Sequence, residues 1–556
     1  MKTNFVVSNC YDVWIPDVEN LFMVNPFIEH QLELDGIIDS YKNIEIASLR
    51  QTNRQELEND HNLVDMKVRK YTKILNRRLD QIHNVRFGSE FWEKALSLAL
   101  LRHTSMCHFF YQGCKENFDP SIHDCQVIDT CCYYIPSTFD DHRHFLQHTD
   151  FGQEQLFSVY CNIFYPKVAS AIIINDYERP KGVHKNLFSR LATSNFFRKL
   201  FGKILENSTF LIKPNVGIIG SFFATKYRKK LLLESLGKIQ LIKLPTIPIS
   251  PKHTSHDMRA ELTKFDNDFD DLDKFVFSAL YHLMPNSFLE NFDQYYVGYK
   301  KHFVKMKNLK WVVCESWIGD ESSAMALAIL KTLDVKHICN EHNYISHPFI
   351  GNSLKYQIPL VDEFISLGWS DSKYPNFLTG ASLFEWDNGI KHKKEYDILL
   401  VLGACFSRSP ETNAAYGDSG PYGAGSYVKM MRDFFQALGD KTLSQVYVRS
   451  YPEYAQANWH VWNQNFLFSD YIVKTIEFDD YSASGRELIG KARLVVINYL
   501  STSHLESIIS DIPTIFLWNK ETYHHEDKYA SIYDGLIESG ICQTDPLTAA
   551  NFINKI

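Results

Sequence analysis

From Tyr396 onward the chain repeats one pattern, and that pattern leaves few folds open. The runs Asp397–Leu402, Gln445–Arg449, Tyr471–Thr475, Arg493–Asn498 and Thr514–Leu517 are short, rich in β-branched residues, and do not alternate apolar with polar. A strand reads that way when both of its faces are covered, which is the condition of a parallel sheet between helices. The stretches Tyr427–Leu438, Arg486–Lys491 and Thr502–Ser510 carry helical patterns and supply the crossovers that parallel strands need. A Rossmann-like domain is expected over residues 396–556.

The same rhythm occurs earlier, with a strand at Trp311–Cys314, a helix at Ser322–Thr332 and a strand at His337–Cys339. A chain of 556 residues is too long for one hydrophobic core. The charged spacer Lys391–Glu395 is the expected linker, leaving residues 1–390 as an N-terminal α/β domain with helical insertions. That part opens with a β-like run at Phe5–Val7 and has a helical pattern from Leu63 to Ile82. One face of the helix carries Lys67, Arg69, Lys70, Lys73, Arg77 and Arg78, which meets either solvent or an anionic lipid or polysaccharide. A second helical run, Phe91–Phe110, is apolar nearly all round and should be buried. Between residues 120 and 310 helical and extended pieces alternate, and the acidic run Asp266–Asp273 reads as a loop or a helix start.

A formal charge of −8 argues against general affinity for nucleic acid. No signal peptide is visible at the N-terminus, and the most apolar stretch, Val168–Asn175, is too short to span a bilayer. The 11 cysteines show no CxxC motif and suit free thiols in a reducing compartment. The expected location is cytoplasmic, with contact at the inner face of a membrane as the furthest extent of any membrane association.

In doubly wound sheets ligands sit beyond the carboxyl ends of the strands, so the loops there are the candidates. After the first C-terminal strand, Gly403 permits a tight turn while Ser407 and Arg408 suit a phosphate. After the next, Arg449 forks either onto a phosphate or onto a structural carboxylate. Ser501, Thr502 and Ser503 stand where a helix begins, and one cap needs only one hydroxyl. The free N–H groups and dipole there suit a phosphate oxygen. Glu506 reaches either a ribose hydroxyl or the backbone of a capping box. In the preceding domain Glu341 and His342 follow a strand and suit acid–base work. One strand earlier, Glu315 to Glu321 offers three carboxylates at an equivalent position. The run Asp141–His148 holds three histidines, but their spacing matches no zinc motif.

Several segments carry a family resemblance by their order. They are Leu75–Leu79, Phe91-Trp-Glu, Ala99–Leu101, Glu315-Ser-Trp, Asn340-Glu-His342, Phe364–Trp369, Arg449-Ser-Tyr, Asn498–Ser503 and Pro513–Phe516. The chain resembles the transferases encoded in bacterial O-antigen and surface-polysaccharide gene clusters. More distantly it is similar to GT-B glycosyltransferases, including capsule transferases and teichoic-acid polymerases. Asn340-Glu-His342-Asn stands where relatives often carry Gln-His-Gly-Gly, and Tyr451-Pro452 where some carry His-Pro. The resemblance implies two Rossmann-like domains facing a cleft, with extra N-terminal helices. It implies donor phosphate at Ser501–Ser503 near Arg449, and His342 lining the cleft, where His342 or Glu315 is the expected acid–base or electrostatic residue. The expected reaction moves a sugar from a nucleotide-sugar donor, a CMP-activated nonulosonic acid or Kdo-like sugar first, to a glycan or lipid-linked glycan acceptor. No permanently bound cofactor and no metal are expected. The alternatives are a polyol-phosphate transferase using a CDP-alcohol, and a non-catalytic nucleotide- or glycan-binding protein.

Overall fold

The computed structural model describes residues 2–16, 18–24, 26–47, 54–167, 170–174, 214–219, 235, 238–249, 254–315, 320–341, 354–380, 393–403, 421–450, 470–498, 502–520 and 524–556. Strands β1 (Thr3–Val6), β2 (Asn20–Met23), β3 (Asn43–Ile46) and β4 (His123–Asp124) form a small sheet in the order β3-β2-β1-β4. β5 (Gln126–Ile128) pairs with β6 (Ser170–Ile172). β7 (Val216–Ile219), β8 (Ile239–Ile242), β9 (Trp311–Glu315), β10 (Lys336–Asn340), β11 (Glu363–Ser366) and β12 (Phe377–Thr379) form a second sheet, ordered β12-β11-β10-β9-β7-β8. The third holds β13 (Tyr396–Val401), β14 (Val446–Arg449), β15 (Glu477–Phe478), β16 (Ala492–Ile497), β17 (Thr514–Leu517) and β18 (Cys542–Gln543), ordered β15-β14-β13-β16-β17-β18.

All pairings in the two larger sheets are parallel. Counted along the chain, the third sheet runs 3-2-1-4-5-6, the Rossmann order, and the second runs 2-1-3-4-5-6, the other common doubly wound order with one strand added. The expected α/β fold with two Rossmann-like sheets is the one this chain adopts. The apolar interiors of these strands follow from burial on both faces. Leu400, Val448, Val496 and Leu517 join one hydrophobic cluster, while Leu399, Val401, Val495, Ile497 and Phe516 join the cluster on the opposite face.

One expected strand is a helix instead. Tyr471–Thr475 lies within a short helix, Asp470–Thr475, and the third strand of that sheet is only Glu477–Phe478. β-branched residues favoured the extended reading, but Ile472 and Ile476 are buried four positions apart, while the exposed Tyr471 donates its hydroxyl to Asp440 Oδ1 at 2.7 Å. Burial on one helical face overrode local propensity.

Helices α1 (Arg54–Ile82) and α2 (Ser89–Asn117) pack together, and α3 (Phe139–His148), α4 (Asp271–Leu283) and α5 (Glu321–Thr332) join them. One cluster of buried side chains runs from Phe5 to Phe364 and includes residues from all five. The basic face of α1 meets neither solvent nor polymer at its centre. Lys67 contacts Asp270 at 2.5 Å and Asp273 at 2.7 Å, Lys70 reaches Asp273 at 3.0 Å and Arg78 reaches Asp266 at 2.9 Å. Arg69, Lys73 and Arg77 remain exposed. The acidic run thus docks on the basic face as it enters α4, with Asp270 and Asp273 closing a capping box.

Asp273 is fully buried, and Tyr71 also donates to it at 2.6 Å. Desolvation acts to raise its carboxyl, but the bonds from Lys67, Tyr71 and Lys70 outweigh it and hold the carboxyl below its usual range. Asp273→Ala should cost about 3 kcal/mol in urea unfolding, because buried Lys67 loses its buried partner. Lys73→Ala on the exposed face should change stability by less than about 0.5 kcal/mol. A carboxyl lowered by folding adds stability above its unfolded value and loses it as pH falls. The wild-type advantage over Asp273→Ala should therefore shrink in unfolding curves recorded below about pH 4.

Candidate active site

In the third sheet the strand order reverses between β13 and β16, whose carboxyl ends therefore flank a crevice. Register aligns them, with Val401 opposite Ile497 on one side and Arg449 on the other. The fully buried Asn498 ties this edge together. Its Oδ1 accepts the Gly403 N–H at 2.8 Å, and its Nδ2 donates to the Tyr427 hydroxyl at 2.7 Å. Tyr427 belongs to α6 (Pro421–Ala437), so one amide fixes two strand ends and a helix. α7 (Thr502–Ile509) begins four residues later, so its first turn follows the carboxyl end of β16. Ser503 is half-buried in its first turn. Glu506 is the fifth residue of the helix. Burial raises its carboxyl, and the charge of Arg486 opposes this. At the neighbouring strand end, the Arg449 guanidinium is bonded to Asp479 and donates to the Ala483 carbonyl at 3.1 Å, stacked over Tyr481. That is the structural carboxylate pairing of the two readings for Arg449.

The second sheet presents a different group. Glu341 follows β10 and is fully buried. Its Oε2 accepts the Leu367 N–H at 2.9 Å and the Trp369 Nε1–H at 2.6 Å. Gly368 between these donors has φ +100°, a conformation L side chains rarely adopt, and this bend lets both turn onto one oxygen. Oε1 is buried without a hydrogen-bond partner. Desolvation pushes the carboxyl up to about 7, against the lowering effect of its two donors. A carboxyl placed there changes protonation near neutrality and keeps one oxygen uncommitted.

The two sheets meet through loops that follow strand carboxyl ends. Lys528, after β17, bonds Asp371, after β11, at 2.8 Å. Glu526 pairs with Lys355, and Asp527 pairs with Arg54 at 2.6 Å. Both carboxyl edges therefore turn toward one seam.

Of the residues expected from sequence, His342, Ser407, Arg408 and Ser501 lie outside the described residues. Glu315 ends β9, with its Cα paired with Asn340, and Thr502 opens α7; only their backbones are described. Glu341 shares the second sheet with Glu315, while Arg449, Ser503 and Glu506 share the carboxyl edge of the third. Sequence reasoning assigned no role to Asn498, Asp479, Leu367 or Trp369. Asn498 and Trp369 each stood within segments noted for resemblance, and an Asn at a buried strand end followed by a hydroxyl run was the usable signal.

The protein is an α/β protein with two doubly wound sheets whose carboxyl edges share a seam. It belongs to the family described as LIC12162 family transferase, which matches residues 3–556, and it is a transferase. No curated protein sequence matches the chain. Similar solved structures include MurG of Acinetobacter baumannii, at 10% identity over 67% of this chain and 86% of that one, with a TM-score of 0.28. The spinosyn forosaminyltransferase SpnP is similar at 9% identity over 62% and 94%, with a TM-score of 0.28. The glycosyltransferase SnogD of Streptomyces nogalater is similar at 9% over 61% and 94%, with a TM-score of 0.26. Scores this low leave the fold to rest on strand order.

A carboxyl raised by folding contributes stability below its unfolded value and loses it as pH rises through about 7. Wild type should therefore lose stability relative to Glu341→Gln between pH 5 and pH 8, by on the order of 3 kcal/mol in denaturant titrations. An unchanged difference across that range would mean that Glu341 does not titrate there.

Proposed function

We propose that this transferase moves a sugar from a nucleotide-sugar donor to a surface-polysaccharide or O-antigen acceptor, either a free glycan or a lipid-linked one. The observation that carries this reading is Glu341, a buried carboxyl near neutrality with one uncommitted oxygen, beyond the carboxyl end of a central strand and on the edge that meets the third sheet. Such a group can take the proton from an acceptor hydroxyl as it attacks. His342 and Glu315 follow or end the same pair of strands and would share the acid–base work. On the other side, Ser501, Thr502 and Ser503 at the start of α7, with Ser407 and Arg408 after β13, would bracket the donor phosphates. Charge builds there as the nucleotide departs, and helix N–H groups fixed in advance stabilise it. Arg449 would add positive field from behind its Asp479 partner, and Glu506 would orient the ribose. No metal is invoked in this scheme. A cytidine donor carrying a nonulosonic acid or a Kdo-like sugar is the first to test, at the cytoplasmic side of a membrane.

The test is a thermal-shift screen against CMP, CDP, UDP, GDP and their sugars. One nucleotide should raise the melting temperature, since a ligand at a hundredfold its Kd adds about 2.7 kcal/mol to the native state. Asn498→Ala, which releases Gly403, should abolish the shift. Glu341→Gln should keep the shift while turnover of the matching donor falls about 10²- to 10⁴-fold. A folded sample with no shift for any nucleotide would overturn the reading.

A further inference from the structure

The adjacent pair Cys131–Cys132 is used by neither sheet edge, yet the fold holds its two sulfurs together at the surface. Among the described cysteines Cys131 is exposed, Cys10 and Cys132 are half-buried, and the other seven are buried. The Sγ atoms of Cys131 and Cys132 lie 3.7 Å apart.

Neighbouring side chains in a strand point to opposite faces, so a strand would have kept these sulfurs apart. The local backbone prevents that. β5 ends at Ile128, and Asp129 then caps a single 3₁₀ turn, Thr130–Cys132. The Asp129 carboxylate accepts the Cys131 N–H at 2.8 Å, and its carbonyl accepts the Cys132 N–H at 2.9 Å. The Asp129 N–H donates in turn to the Ile172 carbonyl of β6 at 2.8 Å. Cys132 Sγ lies 3.7 Å from the Ile174 carbonyl, two residues beyond β6, so the half-buried sulfur is tied to the same strand exit. Tyr133 follows with its ring edge-on to His282 at 4.6 Å, which fixes the far side of the turn.

Two thiols can be joined directly or through one bridging atom, and the geometry separates these cases. A disulfide must draw the sulfurs from 3.7 Å to about 2.0 Å. It must also form on Cα atoms about 3.8 Å apart across a trans peptide, below the roughly 4.4–6.8 Å that disulfides usually span. A single atom bonded to each sulfur at about 2.3 Å, a zinc–thiolate length, would subtend about 107° at the observed 3.7 Å, near the tetrahedral angle. The pair is set for a bridge.

The rest of the turn selects the bridging atom. A soft divalent cation takes deprotonated sulfurs and usually four ligands. Among the described residues no group of three or more His, Cys, Asp or Glu side chains is arranged to hold a metal ion. Asp129 beside it, and then Cys132, push the Cys131 thiol up to about 12, so it keeps its proton at neutral pH. A trivalent metalloid hydroxide requires neither thiolates nor further protein ligands. When arsenous acid condenses with two thiols, two As–O bonds break and two As–S bonds form. Each thiol proton leaves on a departing hydroxide as water, no electrons are exchanged, and the remaining hydroxide is the third ligand. We propose that Cys131 and Cys132 form a dithiol site for a trivalent thiophilic metalloid of the arsenite type. The assignment is independent of the sugar-transfer reading.

The experiment is native mass spectrometry and calorimetry of the full chain, kept reduced by a phosphine and titrated with arsenite. Zinc chloride is titrated in parallel. One arsenic should bind and retain one hydroxide, with a Kd below about 100 μM because the second thiol closes an intramolecular ring. Cys131→Ser and Cys132→Ser should each weaken binding tenfold or more. Cys131→Ser, at the exposed position, carries the test if Cys132→Ser disturbs the turn. Absence of an adduct at about 1 mM arsenite would overturn the assignment. So would an adduct that survives Cys131→Ser, or zinc binding at the pair more tightly than arsenite. A Cys131–Cys132 disulfide that forms in dilute hydrogen peroxide, in a protein that takes up no arsenite when reduced, would replace the metalloid site with a redox pair.

Discussion

Burial of the central strands on both faces is the constraint on which the rest of this structure depends. Strands such as β13 and β16 give nearly every side chain to one of two hydrophobic clusters, so polar groups are confined to strand ends. The carboxyl ends are where helices begin and loops turn, and there Asn498, Arg449 and Glu341 stand. In the strand interiors an uncompensated polar side chain would meet apolar neighbours on either face. Chemistry is displaced to the edges by the packing that makes the sheet.

The same logic explains what the sequence revealed. Strands buried on both faces lack alternation, and that absence is itself the signal, so β13, β14, β16 and β17 were legible within a residue or so at each end. β15 is two residues long and left no pattern, while the apolar run beside it took a helical face. Glu341 was legible as a candidate because it follows a clear strand. Its partners were not, since Leu367 and Trp369 lie on the next strand's exit and converge only through the bend at Gly368. The basic face of α1 shows the opposite failure. Its charge was visible and so was the acidic run about two hundred residues on, but nothing local said that one would clasp the other.

Buried carboxyls recur in this chain, and their environments set them apart. Asp273 receives three charged or hydroxyl donors and stays ionised. Glu341 and Glu321 each receive two neutral donors on one oxygen and no charged one, so burial wins and their affinity for protons rises. The difference lies in charge rather than in depth, because all three are almost wholly removed from water. A salt-bridged carboxylate locks helices together, whereas a carboxyl with a spare oxygen can give or take a proton.

The seam between the two halves has a mechanical consequence. The hydrophobic cluster that ends at Phe364 and those that begin near Ile398 are separate, and the contacts at the seam include the ion pairs of Arg54, Lys355 and Lys528 with carboxylates. Apolar interfaces resist separation at any ionic strength, but exposed ion pairs weaken as mobile ions accumulate around them. Of the seam pairs, Arg54–Asp527 is the most open to solvent, so rising salinity should loosen that contact before the half-buried Lys355–Glu526 pair.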